Sequence, residues 1–362
     1  MVSAEPVTQA PSLDRGAACR RLLFAGPGRV EVIEERLPAL GADEVYARTV
    51  LSGVSHGTEM AWLRGEAAAQ HRTWDADRRV YLDGAGRDYP VAPGYETVAK
   101  VAEIGSNVTD VKVGDAVYLD RPHADGHIVA SNVARAGLVP ADVPVEWAVF
   151  WPLARVALGG VHDAAIQLGD TVVATGLGTV GLLTVQFVQR AGAAKVIGVD
   201  QHPLRLQTAL SLGAYAVDAR TTDVAAEVRR IAGPAGADAA IEASGSYRGL
   251  HEAIRSLAPG GRVATVASYH GEQPGLRLGE EYHRNRITLI SSMTVNGCAH
   301  RQHPLWDLDR LNRTARDLVS SGALHVDGLI THRVPFSSAG DAYALIRDNP
   351  QDTIKVVLTY DN

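Results

Sequence analysis

The hexapeptide Gly176-Leu177-Gly178-Thr179-Val180-Gly181 constrains the fold more than any other feature of the chain. It follows the β-type run "DTVVAT" and opens a helical pattern, "TVGLLTVQFVQRAGA", that Gly192 closes. A G-x-G-x-x-G turn between a strand and a helix is the phosphate-binding turn of a doubly wound sheet. Its first glycine allows the tight turn, its second lets the backbone approach a pyrophosphate, and its third lets helix and strand pack closely. Unpaired N–H groups at the helix start favour an anion there.

The surrounding pattern agrees. "KVIGVD" is a buried strand ending in Asp200, and "PLRLQTALSLGA" a helix with Pro203 in its first turn and Gly213 beyond its end. Helix "TTDVAAEVRRIAG" and strands "ADAAIEAS" and "GRVATVAS" follow, the last reached through the turn Pro259-Gly260-Gly261. This alternation predicts an α/β doubly wound parallel sheet. A carboxylate at Asp200 accepts hydrogen bonds from the adenosine ribose and repels a 2′-phosphate, which favours NAD. His202 and Arg205 stand close enough in sequence to tolerate that phosphate, so NADP stays open.

Residues 20–150 have a different texture. Short β-type runs, "RRLLFAG", "RVEVIEE", "EVYARTVLSG", "VAKVAEIG" and "DAVYLD", are separated by Gly, Pro and Asp and predict an antiparallel, barrel-like β domain. After about residue 296 the pattern loosens, then ends in a helix, "SAGDAYALIRDN", and a strand, "TIKVVLTY".

Composition excludes some functions. A net charge of −6 gives no footing for nucleic acid. No apolar run approaches a membrane span, and the polar, Pro-containing first 18 residues read as a frayed tail, so a cytoplasmic protein is expected. Cys19 and Cys298 are too few for a disulfide framework or a four-cysteine zinc lobe and are read as inert.

The order of these parts, with "SGVSHGTE" (52–59), "PGYETVAKV" (93–101), "VGDAVYL" (113–119), "ATGLGTVG" (174–181), "VIGVD" (196–200), "LAPGGRVATV" (257–266) and the closing "DAYALIRDNPQDTIKVVLTY", resembles the medium-chain dehydrogenase/reductase superfamily. The resemblance covers about residues 20–360. It implies a GroES-like, β-rich catalytic domain from residues 1–152 completed by 296–362, a Rossmann dinucleotide-binding domain over 153–295, and an active site between them. It also implies that Lys355 contacts the pyrophosphate and that Arg205 lies beside the adenosine ribose. Ser268 and Tyr269 match the strand end whose backbone holds the nicotinamide carboxamide. Relatives pair through the edge of the Rossmann sheet, which implies a homodimer.

Zinc-containing members take metal ligands at three places that here read Ser55, Tyr95 and a position near Trp151. Serine and tyrosine are poor zinc ligands, and indole is not one. The sequence is similar to the zinc-independent branch containing bacteriochlorophyllide dehydrogenase and related bacterial secondary-alcohol dehydrogenases, so no metal is expected. A rebuilt site using His56 and Glu96 with a third ligand from elsewhere is the alternative.

Without a metal, a side chain must handle the proton of the reacting oxygen. Tyr95 is the candidate, with a neighbouring cation such as His56 or the cofactor ring lowering its pKa and with Ser55 and His56 relaying the proton. Tyr95 is equally readable as packing in a vacated metal pocket, His56 as a turn-forming residue, and Glu96 as a structural anchor. Trp62 and Trp151 are expected in the substrate pocket. The span 60–90 reads as a structureless lid in which Trp62, Arg64, Trp74 and Arg78 meet a polar substrate, or as an ordinary exposed loop. His123 and His127 read as surface or pocket-rim residues. The expected activity is NAD-dependent interconversion of a secondary alcohol, polyol or sugar-like compound and a ketone. A reductase of activated C=C bonds and a non-catalytic nucleotide-binding protein are the rivals.

Overall fold

The computed structural model describes residues 18–271, 274–293 and 305–361. Most of the N-terminal tail, Cys298 and the domain boundary placed at residue 296 lie outside the described residues.

The chain opens with an antiparallel hairpin of β1 (Ala18–Gly26) and β2 (Arg29–Arg36). β3 (Glu44–Gly53) follows, then α1 (Thr58–Arg64), α2 (Ala68–His71), β4 (Arg72–Asp75) and β5 (Val80–Asp83). Next come β6 (Thr97–Ile104), β7 (Ala116–Leu119), β8 (Gly126–Ala130), α3 (Ser131–Ala136) and α4 (Trp151–Asp163). The span 60–90 is therefore not structureless. The Asp75 side chain accepts hydrogen bonds from the Arg78 backbone and guanidinium at 2.8 and 2.7 Å, which closes a turn and folds β4 onto β5.

The second half alternates strand and helix: β9 (Thr171–Thr175), α5 (Thr179–Arg190), β10 (Lys195–Asp200), α6 (Pro203–Ser211), β11 (Tyr215–Asp218), α7 (Val224–Ala232), β12 (Ala237–Glu242), α8 (Tyr247–Arg255), β13 (Leu257–Thr265) and β14 (Thr288–Ser291). These strands form one parallel six-stranded sheet in the order β11-β10-β9-β12-β13-β14. That is the Rossmann order, with its reversal between β9 and β12. β9, β10 and β12 are apolar almost throughout because helices cover both faces. The turn at Pro259-Gly260-Gly261 lies within β13 as a break: Gly260 has φ +80°, and the pairing with β12 slips between Ala237 and Ala239.

The end of the chain returns to the first half through α9 (Leu308–Ser320), β15 (Ile330–Pro335), α10 (Ala339–Asp348) and β16 (Lys355–Thr359). β16 pairs antiparallel with β3, Val357 opposite Gly53, in a sheet ordered β15-β16-β3-β6-β7 with β8 also along β3. The β15–β16 pair is parallel, so this sheet is mixed rather than antiparallel throughout. The fold is α/β, a Rossmann sheet joined to a GroES-like β domain. Helices α4 and α9 pack together, and α4 also packs on α5, in a core that includes Phe150, Trp151, Leu183, Phe187 and Leu311.

Candidate active site

A cleft of about 1100 Å³ separates the two sheets. It sits at the carboxyl ends of β9 and β12, where the strand order reverses, the usual ligand position of such sheets. Gly178, Thr179, Val180, Asp200 and Ser268 line it from one side, and Ser55, His56, Thr58, Tyr95, Glu96 and Lys355 from the other.

The glycine turn is sterically specified. Gly176 has φ +81°, and a Cβ there would lie 2.5 Å from the Ser244 nitrogen. A Cβ on Gly181 would strike the Gly176 carbonyl at 1.9 Å. A Cβ on Gly178 would meet nothing within 4 Å and would fill the cleft at the start of α5. That open cradle of backbone N–H groups is what a pyrophosphate needs. Leu177 points into the core, and the Thr179 hydroxyl donates to the Ile354 carbonyl at 2.8 Å, fastening the helix start to the final segment.

Asp200 caps the turn from the next strand. Its Oδ2 accepts from the Leu177 N–H at 2.7 Å, and its Oδ1 from the Gln201 and His202 N–H groups at 2.7 and 2.9 Å. Arg205 is tethered by donating to the Thr353 and Pro350 carbonyls, both at 3.0 Å, with Asp200 3.8 Å away. The open cradle, the carboxylate and the unpartnered, buried His56 Nε2 fit a dinucleotide. Ser268 lines the cleft, whereas the Tyr269 ring packs on Tyr247 and its phenol donates to Glu242, outside the lining.

On the opposite wall, the Tyr95 phenol donates to Ser55 Oγ at 2.9 Å, with the Thr58 side chain nearby. The Tyr118 hydroxyl donates to the Tyr95 carbonyl at 2.8 Å, and Tyr118 in turn packs on Trp151. Burial, then the neighbouring Glu96, pushes the Tyr95 phenol well above its usual value. Burial, then Lys355, lowers His56 to about 3, so its imidazole is neutral at physiological pH. A protonated His56 therefore does not draw Tyr95 toward phenolate in this arrangement. The geometry supplies a neutral phenol in a chain of hydroxyls.

Glu96 and Lys355 form a buried ion pair, and Lys355 Nζ also donates to the Val54 carbonyl at 2.9 Å. Burial lifts the Glu96 carboxyl to about 7 against the pull of Lys355, and its Oε1 has no partner. Lys355 lines the cleft with two of its three donors already used on protein groups. Gly53 makes room for the pair: a Cβ there would lie 2.2 Å from Glu96 Oε2.

Several residues stand elsewhere than expected. Trp62 and Trp151 are not part of the cleft lining. Trp62, on α1, lies under Arg87, and Trp151 lies in the core between Tyr118 and Arg316. His123 and His127 are buried, not at a rim. His123 bridges Glu59 Oε2 at 3.0 Å and Ser52 Oγ at 2.7 Å. Glu59 also accepts from the Ser55 N–H at 2.8 Å and the Tyr343 hydroxyl at 2.6 Å. Burial opposes its ionisation, but His123, Tyr343 and the Ser55 N–H together hold it below its usual range. Glu59 and Thr58 were not singled out in the sequence. The signal was their place in "SGVSHGTE", two and three residues after His56 and beside the turn that carries Ser55.

Residues 57–146 match the alcohol dehydrogenase GroES-like domain, and residues 179–309 match the zinc-binding dehydrogenase family. D-Guloside 3-dehydrogenase of Escherichia coli (strain K12) is 31% identical over 350 residues, spanning 94% of this chain and 100% of that protein. The chain belongs to the medium-chain dehydrogenase/reductase superfamily. The NADP-dependent isopropanol dehydrogenase of Clostridium beijerinckii is 27% identical, covering 73% of this chain and 83% of its own length. The crystal structure of 2R,3R-butanediol dehydrogenase from Bacillus subtilis shares the fold, with a TM-score of 0.74 at 19% identity, over 95% of this chain and 100% of that one.

One family trait does not fit the residues present. Among the described residues, only His251, Glu280 and Glu281 bring three potential metal ligands together, and they are not in the cleft lining apart from neighbours on α8. In the cleft, Glu96 is already bound to a cation, Lys355, and the adjoining donors are a phenol, hydroxyls and the single imidazole of His56. This is a poor donor set for a tetrahedral zinc ion.

Proposed function

We propose that this superfamily member is an NAD(H)-dependent oxidoreductase that interconverts a secondary alcohol and a ketone on a polyhydroxylated, sugar-like substrate, without a catalytic metal. The observation that carries this reading is the Tyr95–Ser55 hydrogen bond in the cleft wall facing the glycine turn. The likeness to alcohol and polyol dehydrogenases supports the reaction class. The likeness to D-guloside 3-dehydrogenase, and the Thr58, Arg64, Glu66 and His270 side chains around the cleft, support a hydroxyl-rich substrate. Asp200, committed to the glycine turn, supports NAD.

The bound dinucleotide supplies hydride acceptance and donation at carbon. The protein's part concerns the oxygen. Tyr95 is protonated at rest, so in the reductive direction it donates its proton to the carbonyl oxygen and regains one through Ser55 and Thr58. In the oxidative direction it takes the alcohol proton as it passes its own to the same hydroxyls. Thr58 is exposed and delivers it to water. The phenol need not ionise for either transfer. Glu59 fixes the turn bearing Ser55, and the Glu96–Lys355 pair holds β16 against the end of β3.

The reading assigns residues 1–152 and 296–362 to catalysis and 153–295 to the dinucleotide, with the small-molecule substrate entering between them. The test is NADH formation by purified protein given NAD⁺ and a panel of glycosides, polyols and simple secondary alcohols, with and without chelator. Turnover of a hydroxyl-rich substrate that survives chelation is expected. Turnover that is lost on chelation and restored by zinc would overturn the metal-free reading, and inactivity on the whole panel would overturn the substrate class.

A further inference from the structure

Four crossovers of the Rossmann sheet run through a regular helix, α5 to α8, and the fifth does not. Between β13 and β14 the described residues form a single helical turn, Leu278–Tyr282, beside α8. Its backbone leaves helical geometry at Glu280 (φ −96°, ψ −123°), so Glu280 and Glu281 are not splayed by the about 100° that separates neighbours in a regular helix. Both carboxylates reach His251 of α8: one ligand atom from each of the three residues lies within 4.8 Å of the other two.

The meeting leaves buried polar atoms unsatisfied. His251 is 8% exposed, and its Nδ1, shut off from solvent, has no hydrogen-bond partner. Glu281 Oε2 is shut off in the same way, and Oε1 of the same group stands 3.7 Å from Arg255 Nε. Arg255 is already held by Asp223 at 2.9 Å and Glu252 at 2.8 Å. Glu280 touches the exposed Arg277 at 3.4 Å, a surface contact of little worth. Four carboxylates thus share two guanidiniums, a formal charge of −2. Buried polar groups without partners cost free energy, and a dication would partner these.

We propose that His251, Glu280 and Glu281 bind a zinc ion that staples α8 to the β13–β14 crossover. One imidazole nitrogen and two carboxylate oxygens, with water in the fourth position, suit tetrahedral zinc, whereas magnesium prefers oxygen ligands in an octahedron. Ligand atoms about 2.0–2.2 Å from zinc stand roughly 3.5 Å from one another, so closing the site asks for side-chain shifts of about an ångström. Glu280, half exposed, has the freedom to make them. None of the three residues lines the cleft, so the ion serves the fold of the nucleotide lobe and takes no part in hydride transfer. The proposal stands apart from the metal-free reading of the cleft.

The test is titration of the chelator-stripped full chain with zinc chloride, read by calorimetry and by melting temperature. One ion per chain, a Kd below about 100 µM and a melting temperature that rises with zinc are expected. Glu280→Gln and Glu281→Gln are each expected to weaken zinc by about tenfold or more and to leave NADH affinity unchanged. Glu280→Gln lies at the surface and keeps the melting temperature of the stripped protein. Magnesium is expected to bind about 100-fold or more weakly than zinc. Zinc bound as tightly by both variants as by the wild type, magnesium bound as tightly as zinc, or a zinc Kd above about 100 µM would each overturn the proposal. Zinc held in the cleft instead would survive both substitutions, and that result overturns it too.

Discussion

The Tyr95 hydroxyl lies 2.9 Å from Ser55 Oγ, and it does so as a neutral phenol. The two residues come from different elements, the loop before β6 and the turn after β3, held in register by the β3–β6 ladder. On the proposed metal-free reading, this pair is the hydrogen-bonded proton carrier.

Replacing Tyr95 by Phe is expected to lower kcat by about 10²–10⁴-fold, the usual worth of general acid–base help, while dinucleotide affinity stays within about twofold. Ser55→Ala should fall in between. Steady-state kinetics with separate titration of NADH binding checks this; turnover unchanged by Tyr95→Phe would reduce the residue to packing.

Breaking the buried Glu96–Lys355 pair should cost more than abolishing it. Lys355→Met leaves Glu96 buried without its cation and is expected to destabilise the protein by roughly 3–5 kcal/mol. Adding Glu96→Gln should recover part of that loss. Urea unfolding of both variants decides, and equal stability of the two would remove the pair from the account.

Acid should weaken the fold through buried histidines. Burial, then Arg21, lowers His127 to about 4, and His56 lies at about 3, both below the ordinary 6.5. Between pH 6.5 and about 4 the unfolded chain therefore binds protons that the native chain does not. Their contribution is intact above pH 6.5 and is lost as pH falls, with a slope of up to about 1.4 kcal/mol per pH unit for each group. Stability curves from pH 7 to 5 should be flatter in His127→Phe than in the wild type.

Cofactor choice should respond to Asp200. Asp200→Ala removes a carboxylate that closes the glycine turn and would repel a 2′-phosphate. The ratio of kcat/KM for NADP⁺ over NAD⁺ is expected to rise at least tenfold, chiefly through a higher KM for NAD⁺. A ratio that does not move would assign discrimination to other residues.

The Rossmann half was legible because its signals are local. A glycine turn, buried β runs and helix stops lie within a few residues of one another, and the sheet order follows from right-handed crossovers. The cleft wall was legible only as a list of residues. That His123 bridges Ser52 and Glu59 depends on partners dozens of residues away, so its stretch read as a rim. Trp151 was placed in the pocket by position along the chain, but the packing of α4 on α9 turns it into the core. The protonation of Tyr95 and His56 follows from desolvation, which periodicity does not report. In the 60–90 span, charge and polarity hid a hairpin whose turn depends on one aspartate, Asp75.

The pairing of β16 with β3 has a consequence for biogenesis. Lys355 and the strand that carries it must emerge from the ribosome before the first lobe can close its sheet. The nascent N-terminal third thus waits, with Glu96 lacking its counter-charge, while the nucleotide lobe is translated and shaped. Assembly of the catalytic wall therefore follows translation of the nucleotide lobe, and loss of β16 would strike a sheet most of which was made before that lobe.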